Sequence, residues 1–378
     1  MRTRLCGRFL LLLVLLSAMS ACGSREPIRV GFVAGLTGQN AALGVDGRDG
    51  ALLAVEKINS EGGLNGRPIE LVVRDDKGTS DGAVTADNEL ITDEGVIAII
   101  GHMTSGTMVS AWPEFKDSGM VFLSPTVATT QLSGMDDNFF RLIPANSAFS
   151  EKMADYASSE LGLKKVAIFY DTDNAAFTDT FRMGFENNFL SGGGEILLDY
   201  PFSSSSEPDF RRVLNDLKEQ DPDGICVIAS AVDTALIVQQ ARLEELDVQF
   251  LTSNWALTED LIGNGGRAVD GIITVVAHDE TNRSPEYLDF SDGFQSRYGR
   301  QPTFAAGYGY EAVLVLVNAL NITNGEKDGL ANALLQTKDL PGVNGNISFD
   351  AYGDVVRTLY LVAVRDGQFV TEEIVFVP

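Results

Sequence analysis

The residues of this 378-residue chain best suited to chemistry are small hydroxyl side chains at the ends of apolar runs. In Ile99-Ile100-Gly101-His102-Met103-Thr104-Ser105-Gly106-Thr107, a strand is expected to end at Gly101 and a helix to begin near Ser105. The unpaired N–H groups of a first helical turn, the positive end of its dipole and the Ser105 hydroxyl would converge there on a carboxylate-sized anion site. One strand later, Ser124-Pro125-Thr126-Val127-Ala128-Thr129 again ends an apolar run in hydroxyl residues. In a parallel sheet both loops face one crevice at the carboxyl edge. Read singly, Ser105 is equally an N-cap and Thr126 equally a turn residue. The loop from Gly35 to Gly44 lies in the same position after the first strand, without a phosphate-binding signature.

Other chemistries fit poorly. Only His102 and His278 are present, which excludes His-rich zinc sites and leaves a Ser-His-Asp triad one of these two. There is no HExxH, GxSxG or GxxxxGK[ST]. Two GxGxxA matches, from Gly263 and Gly307, do not follow strands, so neither reads as a dinucleotide fingerprint. Asp75-Asp76 and Asp136-Asp137 read as turns or caps, since no other ligand types accompany them at metal-site spacing. A net charge of -25 excludes a nucleic-acid partner, which needs a basic face for phosphate. Neither a cofactor nor a metal is expected, and the crevice loops offer no nucleophile with a positioned base, so the chain does not read as an enzyme.

The elements that must position these loops are legible as apolar runs starting at Ile28, Ile69, Val96, Val121, Val166, Ile196 (weaker), Ile225, Phe250 and Ile272. Their length of four to six residues fits strands buried on both faces. Amphipathic segments separate them: Ala51, Val55 and Ile58 fall on one helical face, and Gly62-Gly63 ends that pattern. Alternation of this kind predicts α/β architecture with parallel βαβ units, in two runs over about 28–143 and 146–275. The rhythm then breaks into helices expected at 284–299, 304–323 and 327–336, followed by a hairpin of Leu359–Val364 and Phe369–Val377 turned at Asp366-Gly367.

Arg2, Arg4 and Arg8 precede an apolar run, Phe9 to Leu16, then Ser17-Ala18-Met19-Ser20-Ala21 and Cys22. That is the layout of a signal peptide over 1–21, and the run is too short to span a bilayer, which needs about 20 residues. Ser20-Ala21-Cys22 resembles the lipobox of bacterial lipoproteins, with Met19 where Leu is usual. The alternative is an ordinary signal peptide cut after Ser20 or Ala21; the Ala21 cut would put Met19 where a small residue is wanted. With Cys6 in the signal and Cys22 lipidated, Cys226 is left without a disulfide partner, as a buried thiol in Ile225-Cys226-Val227-Ile228-Ala229.

One stretch carries a family resemblance: Ile58-Asn59-Ser60-Glu61-Gly62-Gly63-Leu64-Asn65-Gly66-Arg67-Pro68-Ile69-Glu70-Leu71, running into Asp75-Asp76. Together with Ile100-Gly101-His102, Ser124-Pro125 and Phe349-Asp350 before Gly353, it resembles the type I periplasmic solute-binding proteins, nearest the leucine/isoleucine/valine-binding proteins of ABC importers. The resemblance implies two Rossmann-like lobes, a clamshell joined by three crossovers near 141–146, 275–278 and 345–355, with a small-molecule ligand closed between them. It implies a tether over 22–27, one lobe of 28–143 plus 277–350, and another of 144–276 plus 351–378. The partners implied are an ABC permease and, through Cys22, the membrane of the cell envelope.

By the same resemblance, Ser105, Thr126 and Ala128 fall where an amino-acid carboxylate is held, with Thr104 beside them. A Thr common in the family falls on Ala128, so that contact is lost or shifted to Thr129. A covering aromatic aligns with Leu43 and a second-lobe Tyr near Ser230. The acid that pairs with the ligand's ammonium aligns with Asn254, followed by Trp255, while Asp173 and Asp233 remain as acids near second-lobe loops. The family's disulfide positions correspond to Gly78 and Thr104. The ligand expected is therefore a small polar solute, an amino acid or more readily an amide or an aromatic acid stacked on Trp255. The same clamshell could instead report ligand to a regulatory partner.

Overall fold

The computed structural model describes residues 26–38, 41–92, 95–206 and 209–377. The expected signal peptide and Cys22 lie outside them. Strand β1 (Ile28–Ala34) pairs in parallel with β2 (Ile69–Asp75), from Ile28 opposite Ile69 to Ala34 opposite Asp75, and on its other side with β3 (Val96–Ile100). β4 (Val121–Ser124) and β5 (Phe139–Arg141) complete a five-stranded sheet of order β2-β1-β3-β4-β5. Its strands are linked by α1 (Ala41–Ser60), α2 (Ser80–Thr92) and α3 (Ser105–Phe115). In β1 the side chains of Phe32 and Val33 point to opposite faces and both are fully buried, which is why the run is apolar without alternation.

The second sheet has order β12-β11-β10-β9-β8-β6-β7. Five parallel strands, β6 (Lys165–Asp171), β7 (Glu195–Phe202), β8 (Gly224–Ile228), β9 (Gln249–Thr252) and β10 (Ile273–Val276), meet an antiparallel hairpin of β11 (Leu359–Arg365) and β12 (Gln368–Phe376). Helices α4 (Asn146–Ser159), α5 (Ala175–Ser191), α6 (Arg211–Lys218), α7 (Ala231–Leu243) and α8 (Glu259–Gly265) accompany it. The chain then returns to the first sheet through α9 (Pro285–Tyr298), α10 (Phe304–Ile322) and α11 (Leu330–Leu335), α10 packing on α1, β3 and β4. It thus passes between the sheets three times: after β5, after β10 and before β11.

Two local findings correct the expectations. β5 carries no strand signal of its own, because it is three residues long and ends in a charge; Arg141 is nonetheless fully buried, paired with Asp354 at 2.8 Å and donating to the Thr129 carbonyl at 2.7 Å. The last helix is shorter than 327–336, beginning only at Leu330 after Gly329 in the left-handed region (φ 78°). The GxGxxA run from Gly307 has a packing role: a Cβ on Gly309 would lie 2.1 Å from the Gly47 carbonyl oxygen, and one on Gly50 1.9 Å from that of Ala306. Glycines let α1 and α10 touch backbone to backbone. α10 is apolar and long enough to cross a membrane, but most of it is buried within the fold.

Cys226 is fully buried in β8, and burial alone pushes its thiol far above the usual range. A thiol reagent is expected to leave it unmodified in the native protein and to modify it promptly in denaturant, since only the thiolate attacks. Rapid labelling of native Cys226 would contradict this packing.

Candidate functional site

The carboxyl ends of β3 and β4 place two loops side by side, as the parallel order requires. Thr104, with extended backbone, is the N-cap of α3, and Ser105 is its first helical residue, so the reading of Ser105 as the cap is overturned. The freed Ser105 Oγ accepts the Thr129 N–H at 3.2 Å and keeps its own proton for another acceptor. Thr126 Oγ1 donates to the Met103 carbonyl at 2.6 Å, which leaves lone pairs rather than a donor. Gly106 N–H, which was expected to face an anion, donates to Asn174 Oδ1 of the other half at 2.9 Å. A side-chain amide oxygen therefore sits on the α3 N-terminus, and the two halves are in contact.

Six of the expected residues, Leu43, Thr104, Ser105, Thr126, Asn254 and Trp255, line one cavity of about 20 Å³ between the sheets. That volume admits a water and not a solute, so a ligand requires the walls to move. Five further wall residues, Met103, Ile143, Asn174, Phe177 and Phe304, had not been singled out. Asn174 was within reach of sequence reasoning, since it closes the turn after β6 on the same sheet edge as the Asp173 already noted. Phe304 was not, because it opens a helix that the topology brings back from far along the chain. Trp255 meets Phe177 edge to face, with ring centroids 5.6 Å apart. Asn254 lines this cavity, and its buried Oδ1 has no hydrogen-bond partner.

Ser230 lies apart from this group, in a small adjoining pocket with Leu43 and Trp255. Its hydroxyl caps α7 and donates to Asp233 at 2.6 Å. Ala128 is fully buried and lines none of the cavities described; its carbonyl accepts from Asn146 N–H. Gly78 and Thr104 share a wider cavity of about 320 Å³ at the outer rim. No charged side chain lines the central cavity among the described residues. Burial raises Asp233 above the usual carboxylate range despite Ser230, while Asp173, which burial would also raise, is held below it by hydrogen bonds from Ser203, Ser204 and Ser205.

The acid pairs divide. Asp75 holds a turn, accepting from Leu36 and Lys77 N–H at 2.8 Å each, and Asp137 accepts from Phe139 N–H, both as expected. Asp76 is different: it is buried and contacts His102 Nδ1 at 2.7 Å, while Asp87 on α2 contacts Nε2 at 3.0 Å. Burial would lower the imidazole, but the two carboxylates outweigh it and hold His102 up to about 9. With both ring nitrogens occupied, His102 has none left for a hydroxyl nucleophile. Asp76 Oδ1 also accepts the Gly78 N–H at 2.8 Å, so the turn reading holds for Asp76 as well, and what the structure adds is its burial and its contact with His102.

A family profile described as periplasmic binding protein matches residues 27–368. A Leu/Ile/Val-binding protein homolog 2 of Brucella abortus is 28% identical over 92% of this chain and 94% of its own. The leucine-binding protein LivK of Thermotoga maritima superposes with a TM-score of 0.84 at 25% identity, over 92% of this chain and 98% of that one. LivJ of Streptococcus pneumoniae, a branched-chain amino acid transporter substrate-binding protein in complex with isoleucine, gives 0.84 at 27% identity, over 92% and 99%. Two sheets crossed three times, loops meeting at their carboxyl edges and a profile match over nearly the whole length agree: the chain belongs to the periplasmic binding protein family.

Proposed function

We propose that this chain is the lipid-anchored, extracytoplasmic solute receptor of an ABC importer, and that it closes lobes 28–143 plus 277–350 and 144–276 plus 351–378 on a small amide or carboxylate. The relatives' names and LivJ's isoleucine complex support an amino acid or a compound of similar size. The observation that carries the narrower choice is the uncharged wall: a Ser105 O–H free to donate, an unpartnered Asn254 Oδ1, and the apolar surface of Trp255, Phe177 and Leu43. A carboxylate or carbonyl finds a donor there, and a neutral N–H finds Asn254. An ammonium finds no carboxylate on that wall, Asp173 lining instead the adjoining cavity that shares Leu43 and Thr104, and an unpaired buried charge costs several kcal/mol.

A thermal-shift panel of L-leucine, L-isoleucine, L-valine, benzamide and phenylacetate tests this. The best solute, at about 100 times its Kd, should add about 2.7 kcal/mol and raise the Tm by a few degrees. Benzamide or phenylacetate is expected to lead. If a branched-chain amino acid leads and Asn254→Ala leaves its shift intact, the role given to Asn254 is wrong.

The anchor is tested separately. Because a thioether-linked lipid needs the Cys22 thiol, Cys22→Ser should leave the membrane fraction without lipid-modified protein while solute binding is retained. An unmodified Cys22 in mass spectra of the native mature protein would refute lipidation.

A further inference from the structure

Glu311 on α10 is fully buried and Arg357, two residues before β11, nearly so; their ion pair closes at 2.6 Å. What distinguishes the pair is what else it grips. Arg357 Nε donates to the Leu142 carbonyl at 2.9 Å, just after β5. Glu311 Oε1 accepts the Asn344 N–H at 2.7 Å, in the segment leading to β11. The Arg357 guanidinium lies over the Tyr308 ring, 5.2 Å from its centroid, and Tyr308 Oη donates to the Ala277 carbonyl at 3.2 Å, just after β10. Tyr308 and Glu311 are three residues apart, on one face of the same helix. All three passages between the sheets are therefore fastened to a single turn of α10.

We propose that the Tyr308–Glu311–Arg357 cluster is the pivot of the molecule, the group that makes the three crossings bend as one. A buried ion pair with every oxygen and nitrogen engaged is costly to separate, so the cluster moves as a unit with α10. On the side of the second sheet, it leaves Ile143-Pro144-Ala145 free before α4 and Thr358 alone before β11, and the Ala277 contact abuts the end of β10 directly. Rotation of one half against the other is confined to those few residues. Without the fastening, each crossing would flex independently and the halves would adopt many relative orientations, of which few bring Ser105 opposite Asn254. These three are positioning residues: none lines the central cavity, and Tyr308 reaches it only through the wall residue Phe304, with ring centroids 6.4 Å apart.

The proposal rests on the closure described above, and its test separates the two. Small-angle scattering of the ligand-free full-length chain should show a broader pair-distance distribution and a larger maximum dimension for Glu311→Gln and Tyr308→Phe than for wild type, with circular dichroism unchanged. Should Glu311→Gln fail to fold, the double variant Glu311→Leu, Arg357→Met removes both charges together and gives the same readout. If the competent orientations fall to a tenth, the apparent Kd for whichever of phenylacetate, benzamide or L-leucine binds wild type rises about tenfold. Folded variants that scatter as wild type does overturn the pivot, even where wild type contracts on adding phenylacetate. Widened ligand-free variants support it, even where no solute of the panel contracts wild type, in which case the ligand assignment alone falls.

Discussion

Raising the pH from 6.5 to 9.5 should destabilise the wild-type protein by about 3 kcal/mol through His102 alone, and His102→Gln should remove that dependence. The imidazole's pKa is held up to about 9, above the ordinary 6.5, so protonation is favoured by folding. The resulting stability is fully present below pH 6.5 and is lost as pH rises through about 9. Deprotonation leaves Asp76 and Asp87, both buried, sharing a neutral ring. His102→Leu goes further by leaving two buried carboxylates without a counter-charge, Asp76 keeping only the Gly78 N–H, and the expected loss is about 3–5 kcal/mol. The Tm measured against pH checks this. A wild-type Tm that is flat from pH 6.5 to 9.5, or a His102→Gln variant that keeps the slope, would show that the imidazole is neutral in the native state.

The same residue reaches the loops of the candidate site. The His102 carbonyl accepts from Ser124 Oγ at 2.8 Å, and that oxygen in turn accepts the Val127 N–H at 3.1 Å. The backbone of His102 thereby holds the loop of Ser105 against the loop of Thr126.

Trp255→Ala should reduce affinity for the best solute of the panel about 100-fold, close to 3 kcal/mol, with a smaller effect on the ligand-free Tm. The indole forms a wall of both the central cavity and the pocket beside Ser230, and it rests edge-on against Phe177. Removing it opens the two spaces into one, so the closed form loses dispersion contacts and water exclusion that the open form never had. Trp255→Phe keeps an aromatic face and should stay within about tenfold of wild type. Titration calorimetry decides: Trp255→Ala binding within threefold of wild type would remove Trp255 from the site. Ser105→Ala, which deletes one donor and unseats the Thr129 N–H, should cost less, about 1–2 kcal/mol.

The strands at Ile28, Ile69 and Ile225 and the C-terminal hairpin were legible because burial on both faces writes itself into composition, and a turn into Asp366-Gly367. That the loops after β3 and β4 lie side by side was legible as well, since a parallel sheet sends every strand's carboxyl end to one edge. Arg141 was not, because its burial depends on Asp354, more than two hundred residues away. Nor was Asn174 on Gly106, which joins loops from different sheets.

By itself the sequence determined local things: the alternation that makes βαβ units, the hydroxyl residues at strand ends, the thiol without a partner and the Met19 to Cys22 pattern. Tertiary structure alone decided which polar groups are used up and which are left over. It spent the Gly106 amide on Asn174, turned the Thr126 proton to Met103, closed His102 between two carboxylates and left Asn254 Oδ1 unmatched. The physical reason is that a backbone pattern repeats over a few residues and is set by neighbours in the chain. A buried hydrogen bond or ion pair, by contrast, is set by whichever group lies within about 3 Å, and folding brings that group from anywhere.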